Sequence, residues 1–140
     1  MDFLAAIQPG QSRSVYGICK EENTAAVLKS GSLPVYATPA MAALMEQAAA
    51  ELTEALLPPG WTSVGTHMDI SHIAATPCGL KVRADACIRS VEGRKIVYEV
   101  TAFDASGKIG YGSHERFVVE RERFLQKAEQ KRSAAKEGNR

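Results

Sequence analysis

The chain has 140 residues, 45% of them hydrophobic and 24% charged, with a formal net charge of +1. That length fits one domain with a sizeable core, and the near-neutral balance gives no electrostatic reason to expect nucleic acid or an anionic membrane surface as a partner. No apolar run is long enough to span a bilayer. The opening Met1-Asp2-Phe3-Leu4-Ala5-Ala6-Ile7-Gln8 lacks the basic start and apolar length of a secretion signal, so a cytoplasmic location is the default expectation.

In chain order, the first strand candidate is 13–19, where Val15, Tyr16 and Ile18 supply apolar and aromatic side chains. Residues 23–34, with Lys29-Ser30-Gly31-Ser32, read as a loop or lid. Thr38-Pro39 then marks a helix start, a hydroxyl N-cap followed by proline at the first helical position. Met41, Leu44, Met45, Ala48, Ala49, Leu52 and Leu56 recur at three- and four-residue intervals, which predicts one buried stripe. Pro58-Pro59-Gly60 stops the helix.

Four more strand candidates follow, at 62–73, 80–91, 95–104 and 108–119. The short glycine-bearing linkers Glu92-Gly93-Arg94 and Asp104-Ala105-Ser106-Gly107 predict antiparallel hairpins. Ala74-Ala75-Thr76-Pro77-Cys78-Gly79 is longer and leaves room for a bend. The end, 120–140, is charged and alanine-rich; a helix is expected to begin near 123–126 and the last dozen residues to be disordered. The expected organisation is therefore one domain over 1–124 and a disordered tail over 125–140. The three cysteines, Cys19, Cys78 and Cys87, are odd in number and form no C-x-x-C pair, which argues against a disulfide framework or a structural zinc.

One long helix with about five antiparallel strands is an α+β arrangement, and the helix is apolar enough for a curved sheet to wrap around it, the hot-dog shape. Three polar features stand out against that frame. Glu46 lies in the most apolar part of the helix, at the border of the stripe; it is either a solvated residue or a carboxylate in a partly dry cleft, suited to general-base work. In the run 64–73, regular alternation puts Val64, Thr66, Met68, Ile70 and His72 on one face and Gly65, His67, Asp69 and Ser71 on the other. His72 then ends an apolar face, as a structural residue or as a catalyst. Gly65, a glycine inside a strand, marks a bulge, a bend or the close approach of another group. His67 and Asp69 read as solvent-facing or dimer-edge residues, and with His72 they make no convincing metal set. Gly110 and Gly112 suggest sheet curvature, and His114-Glu115-Arg116 reads as exposed strand polarity, with Arg116 available to a phosphate.

Taken together, Tyr36-Ala37-Thr38-Pro39-Ala40-Met41 through Leu44-Met45-Glu46, then Gly65-Thr66, then Ser71-His72-Ile73-Ala74-Ala75-Thr76-Pro77, then Gly110-Tyr111-Gly112-Ser113-His114-Glu115-Arg116 resemble the fluoroacetyl-CoA thioesterase-like branch of hot-dog proteins. The resemblance runs from about Arg13 to Phe124. It implies an acyl-CoA thioesterase without a cofactor or metal, with Thr38, Glu46 and His72 as the catalytic set and Gly65 near the thioester carbonyl. It also implies a homodimer with the site at the interface, and leaves pairing of dimers into a tetramer open. The lid of the fluoroacetyl-specific enzyme carries phenylalanines; the corresponding Lys29-Ser30-Gly31-Ser32-Leu33 here has none, so the acyl group is not carried over with the chemistry.

Spacing adds a constraint. Eight residues of helix separate Thr38 from Glu46, about 12 Å along the axis, so the two side chains cannot meet within one straight helix. Two other readings fit the same residues: an enoyl-CoA hydratase or dehydratase on this fold, and a non-catalytic acyl-CoA-binding module.

Overall fold

The computed structural model describes residues 2–138. A 3-10 turn (Asp2–Ala6) leads to strand β1 (Ser12–Ile18), a second 3-10 turn (Glu21–Asn23), helix α1 (Ala25–Leu28) and helix α2 (Thr38–Glu54). Strands β2 (Trp61–His72), β3 (Lys81–Glu92), β4 (Lys95–Asp104) and β5 (Gly107–Glu120) follow, then helix α3 (Arg121–Gly138). The strands form one antiparallel sheet in the order β1-β3-β4-β5-β2.

The helix stripe is where its periodicity puts it. Met41, Met45, Ala48, Ala49 and Leu52 are buried. They pack in one core with Val82, Ala84, Ala86 and Ile88 of β3 and with Ile96, Tyr98, Val100 and Ala102 of β4. The alanines on both partners let helix and sheet approach closely. At Gly110 a β-carbon would collide with the Met41 side chain, so glycine there lets the sheet curve against the helix. Truncating a buried methionine such as Met45 to alanine costs about 2–5 kcal/mol in cores of this kind.

The hairpins expected at β3–β4 and β4–β5 form. β2 instead crosses to the far edge and pairs with β5 rather than with its sequence neighbour β3. The connection from β2 to β3 is fastened on the way: Tyr36 N–H donates to the Thr76 carbonyl at 2.9 Å and Gly79 N–H to the Cys19 carbonyl at 2.7 Å. The lid region is not irregular throughout but contains α1, capped by Thr24, whose hydroxyl accepts from Val27 N–H.

Two local expectations change. Thr38 does not cap α2: Ala37 holds the cap position, makes no side-chain capping bond, and Thr38 is already helical. Its hydroxyl is engaged elsewhere. Of the tail expected to be disordered, 139–140 lie outside the described residues, and the stretch up to Gly138 continues as α3. Its alanine, glutamate, lysine, arginine and glutamine content favours helix even without burial, and Arg132 pairs with Glu129 one turn away at 2.8 Å.

Candidate active site

The edge strand β2 carries the polar residues, and its register with β5 decides where they point. Gly65 pairs with Arg116, but His67, two residues on, pairs with Glu115, so Thr66 is an extra residue in β2. A one-residue bulge inverts the parity of everything on one side of it. Met68, Ile70 and His72 face α2, as alternation predicts. Gly65, predicted on the opposite face, shares the face of His72, while Val64 pairs with the outward, partly exposed Phe117.

At one end of this face, Thr38 Oγ1 lies 2.8 Å from His72 Nδ1. This bond explains why the threonine does not cap its helix: the hydroxyl reaches across to the sheet and fixes the imidazole plane. His72 Nε2 is buried and has no hydrogen-bond partner. Burial lowers the pKa of His72, with the Ala74 backbone pulling it back up, so the ring is held toward its neutral form. A cleft of about 290 Å³ opens here, lined by Ala25, Val35, Tyr36, Thr38, His72 and Ile73 among others. Its walls mix small and apolar side chains with the hydroxyls of Ser30 and Thr38 and one imidazole.

At the other end, Glu46 projects from α2 over Gly65. A β-carbon on residue 65 would lie 2.6 Å from Glu46 Oε2, 3.2 Å from the His114 ring and 3.4 Å from Arg116 Nη1. Glycine thus leaves room for three polar side chains to converge, and a side chain here would displace the Glu46 carboxylate. Arg116 Nη1 stands 3.9 Å from Glu46 Oε2; the arginine side chain is 9% exposed and the glutamate 47%. Arg116 Nε donates to Ser63 Oγ at 2.8 Å and Nη2 to the Ser63 carbonyl at 3.0 Å. Burial lowers its pKa from the ordinary value, and Tyr98, Glu46 and Glu54 oppose that shift; the group remains a cation at any physiological pH.

Arg116 and His114 were read as exposed strand polarity, and both are buried, at 7% and 1% exposure. The signal that could have found them is parity: in β5, Gly110, Gly112, His114, Arg116 and the fully buried Val118 alternate onto the face toward α2. His67 and Asp69 are exposed. Among the described residues no hydrogen bond joins Glu46 to Thr38 or His72. Thr38 and His72 thus make one cluster, and Glu46, Gly65 and Arg116 another.

A model of the family described as fluoroacetyl-CoA-specific thioesterase matches residues 19–122. The chain belongs to the fluoroacetyl-CoA-specific thioesterase family. A fluoroacetyl-CoA thioesterase of Streptantibioticus cattleyicolor is 45% identical over 100 residues, which cover 71% of this chain and 72% of that one. A solved structure of a fluoroacetyl-CoA thioesterase superimposes with a TM-score of 0.84 at 36% identity, covering 89% of this chain and 97% of the other. A hot-dog-like protein from Thermanaerovibrio acidaminovorans gives a TM-score of 0.85 at 26% identity, covering 94% and 97%. The fold is the α+β hot-dog arrangement, and the family is one of thioester hydrolases. Membership extends over both polar clusters, since residues 38, 46, 65, 72 and 116 all lie within the matched span.

Proposed function

We propose that this thioester hydrolase cleaves a small acyl-CoA to the free acid and CoA, in an active site shared between two copies of the chain. The observation that carries the reading is the bulge at Thr66. β2 is an unpaired sheet edge, and exposed edges are templates for pairing with another strand. Two copies of β2 aligned antiparallel about an axis at Asp69, with the extra Thr66 left out of the pairing, would bring residue 65 of one opposite residue 72 of the other. Only because of the extra residue do those positions share a face. The second copy would then set its Thr38–His72 cluster against Glu46, Gly65 and Arg116 of the first, and cover the carboxylate that one chain leaves half exposed. In a single chain the two positions are separated by roughly 20 Å of strand, at ~3.3 Å per residue.

In this site Glu46 either activates a water or attacks the thioester carbonyl itself. If it activates water, its carboxylate takes the water's proton as hydroxide adds to the carbonyl; if it attacks directly, an acyl-glutamyl anhydride forms, which a water then hydrolyses to the free acid. In either course the C–S bond breaks, CoA leaves as a thiolate, and the thiolate takes up the proton that water gives. His72, oriented by Thr38, lines the cleft in which the thioester would sit. The Gly65 backbone N–H supports the developing oxyanion, a donor of a kind worth about 3 kcal/mol. Arg116, buried behind Glu46, meets the carboxylate and the reacting end of the substrate rather than a surface phosphate. The small cleft beside Thr38 and His72 suits a short acyl group, and the lid segment, which lacks phenylalanine, gives no reason to single out the fluorinated one. The proposed setting is the cytoplasm, where acyl-CoA is at hand. Among the described residues no helix is long and apolar enough to cross a membrane.

The test is a panel of acyl-CoAs assayed by release of free thiol, with wild type, Glu46→Ala and His72→Ala. Expected is turnover of at least one short acyl-CoA and a loss of about 100-fold or more in each variant. Wild-type turnover in both variants would overturn the site. Enoyl-CoA consumption without thiol release would make the protein a hydratase, and acyl-CoA binding without turnover a binding module.

A further inference from the structure

Resting on that reading of Glu46, we infer that His114 is a positioning residue: a neutral imidazole that holds Arg116 against Glu46 and ties it to the β2 bulge. Two contacts determine the ring's state. Arg116 Nη1 lies 3.2 Å from His114 Nε2, and His114 Nδ1 lies 2.8 Å from the His67 carbonyl. A guanidinium has only donors, so Nε2 must offer its lone pair. A carbonyl only accepts, so the proton sits on Nδ1. The network therefore admits a single tautomer, and a second proton would set two donors face to face.

The surroundings are built for that state. His114 is 1% exposed, and its ring stacks on Tyr98 with centroids 5.8 Å apart. Tyr98 is itself fully buried and hydrogen-bonded to Thr53, whose hydroxyl donates to the Ala49 carbonyl at 2.8 Å. Burial pushes the pKa of His114 down and Arg116 pushes it further; the His67 carbonyl, Glu46 and Glu115 act the other way.

The consequence is mechanical. Ser63 grips Nε and Nη2 of Arg116, and His114 grips Nη1, leaving the remaining Nη1 proton for Glu46. The acceptor on the other side of His114 is His67, the residue directly after the extra Thr66. The bulge that turns Gly65 inward is thus linked through one histidine to the arginine beside Glu46.

Three variants test this with the best acyl-CoA of the panel. His114→Phe keeps the ring stack on Tyr98 and removes both nitrogens. His114→Gln restores one acceptor and one donor. Expected is a fall of about tenfold in kcat for His114→Phe with KM within about twofold, and recovery to within about threefold by His114→Gln. In an Arg116→Ala background, His114→Phe should cost no further activity, because its effect passes through that arginine. Independently of turnover, long-range proton–nitrogen NMR at pH 7 should report His114 as the neutral Nδ1–H tautomer, and His114→Phe should broaden the Arg116 Nε–H resonance. Wild-type kcat in His114→Phe, equal losses in the Phe and Gln variants, losses that multiply with Arg116→Ala, or an Nε2–H tautomer would each overturn the inference. Glu46→Ala separates the two levels. If it is inactive while His114→Phe is unimpaired, only the positioning role fails; if Glu46→Ala is fully active, the underlying reading of the site fails.

Discussion

The two ends of β2 present contrasting kinds of polar site on one strand face. At the His72 end the contact is a single short bond, Thr38 Oγ1 to Nδ1, beside a cleft of mixed polarity, and the other ring nitrogen is left without a partner. At the Gly65 end the contacts are dense: Arg116 is satisfied by Ser63 and His114, buried, and set 3.9 Å behind a carboxylate that is 47% exposed. One end holds an orienting bond and a cleft; the other holds a braced cation and a half-covered carboxylate. The extra residue between them is what sets both on one face, and the proposed shared site depends on it.

Giving Thr66 a partner, by inserting one alanine between Glu115 and Arg116 of β5, should have the largest effect. With the bulge absorbed, the regular strand places residues 65 and 72 on opposite faces, so one cluster turns outward; hydrolysis should fall by about 1000-fold or more while circular dichroism still reports a folded protein. Retained activity would remove the bulge from the account. Gly65→Ala strikes one end only. Its methyl would occupy the space of the Glu46 carboxylate, and displacement of a reacting group by about 1 Å is worth about 100-fold in kcat. Steady-state kinetics should show that loss at little cost in thermal stability. Thr38→Val strikes the other end, removing the hydroxyl and keeping the shape; about tenfold in kcat is expected, with Thr38→Ser restoring most of it.

The smallest effect concerns folding stability and pH. The pKa values of His72 and His114 are both lowered from the ordinary 6.5, chiefly by burial. Below 6.5 the unfolded chain takes up protons at these positions that the folded chain refuses, so unfolding is favoured as pH falls. Stability measured by urea unfolding should be full above about pH 7 and decline from there toward pH 5, by at most about 1.4 kcal/mol per pH unit for each histidine. His114→Gln should flatten that slope; an unchanged slope would mean that His114 titrates normally in the folded chain.

Much of this fold could be read in advance, and the misses share a cause. The buried stripe of α2, the two hairpins and the inward face of His72 follow from periodicity, a local property. The pairing of β2 with β5, the burial of His114 and Arg116 and the bulge at Thr66 depend on which strands become neighbours, and no local pattern states that. Gly65 did flag the spot, with a bulge among its readings, yet no residue announced that Thr66 was the one to be extruded. Thr38 misled for a related reason: its hydroxyl suits a cap locally, and a histidine 34 residues away claims it. For the tail, composition alone could not separate a solvated helix from disorder.

The shared site is tested most directly by mixing. Glu46→Ala and His72→Ala chains, each inactive alone, carry different affinity tags and are co-expressed, and the doubly tagged dimer is isolated. In a site built from two chains, this dimer holds one intact constellation: His72 from the first chain and Glu46 from the second. Recovery to about half of wild-type activity per dimer is therefore expected from the two-fold symmetry. A doubly tagged dimer as inactive as its parents would contradict the account, since it would mean that each chain needs its own glutamate and its own histidine.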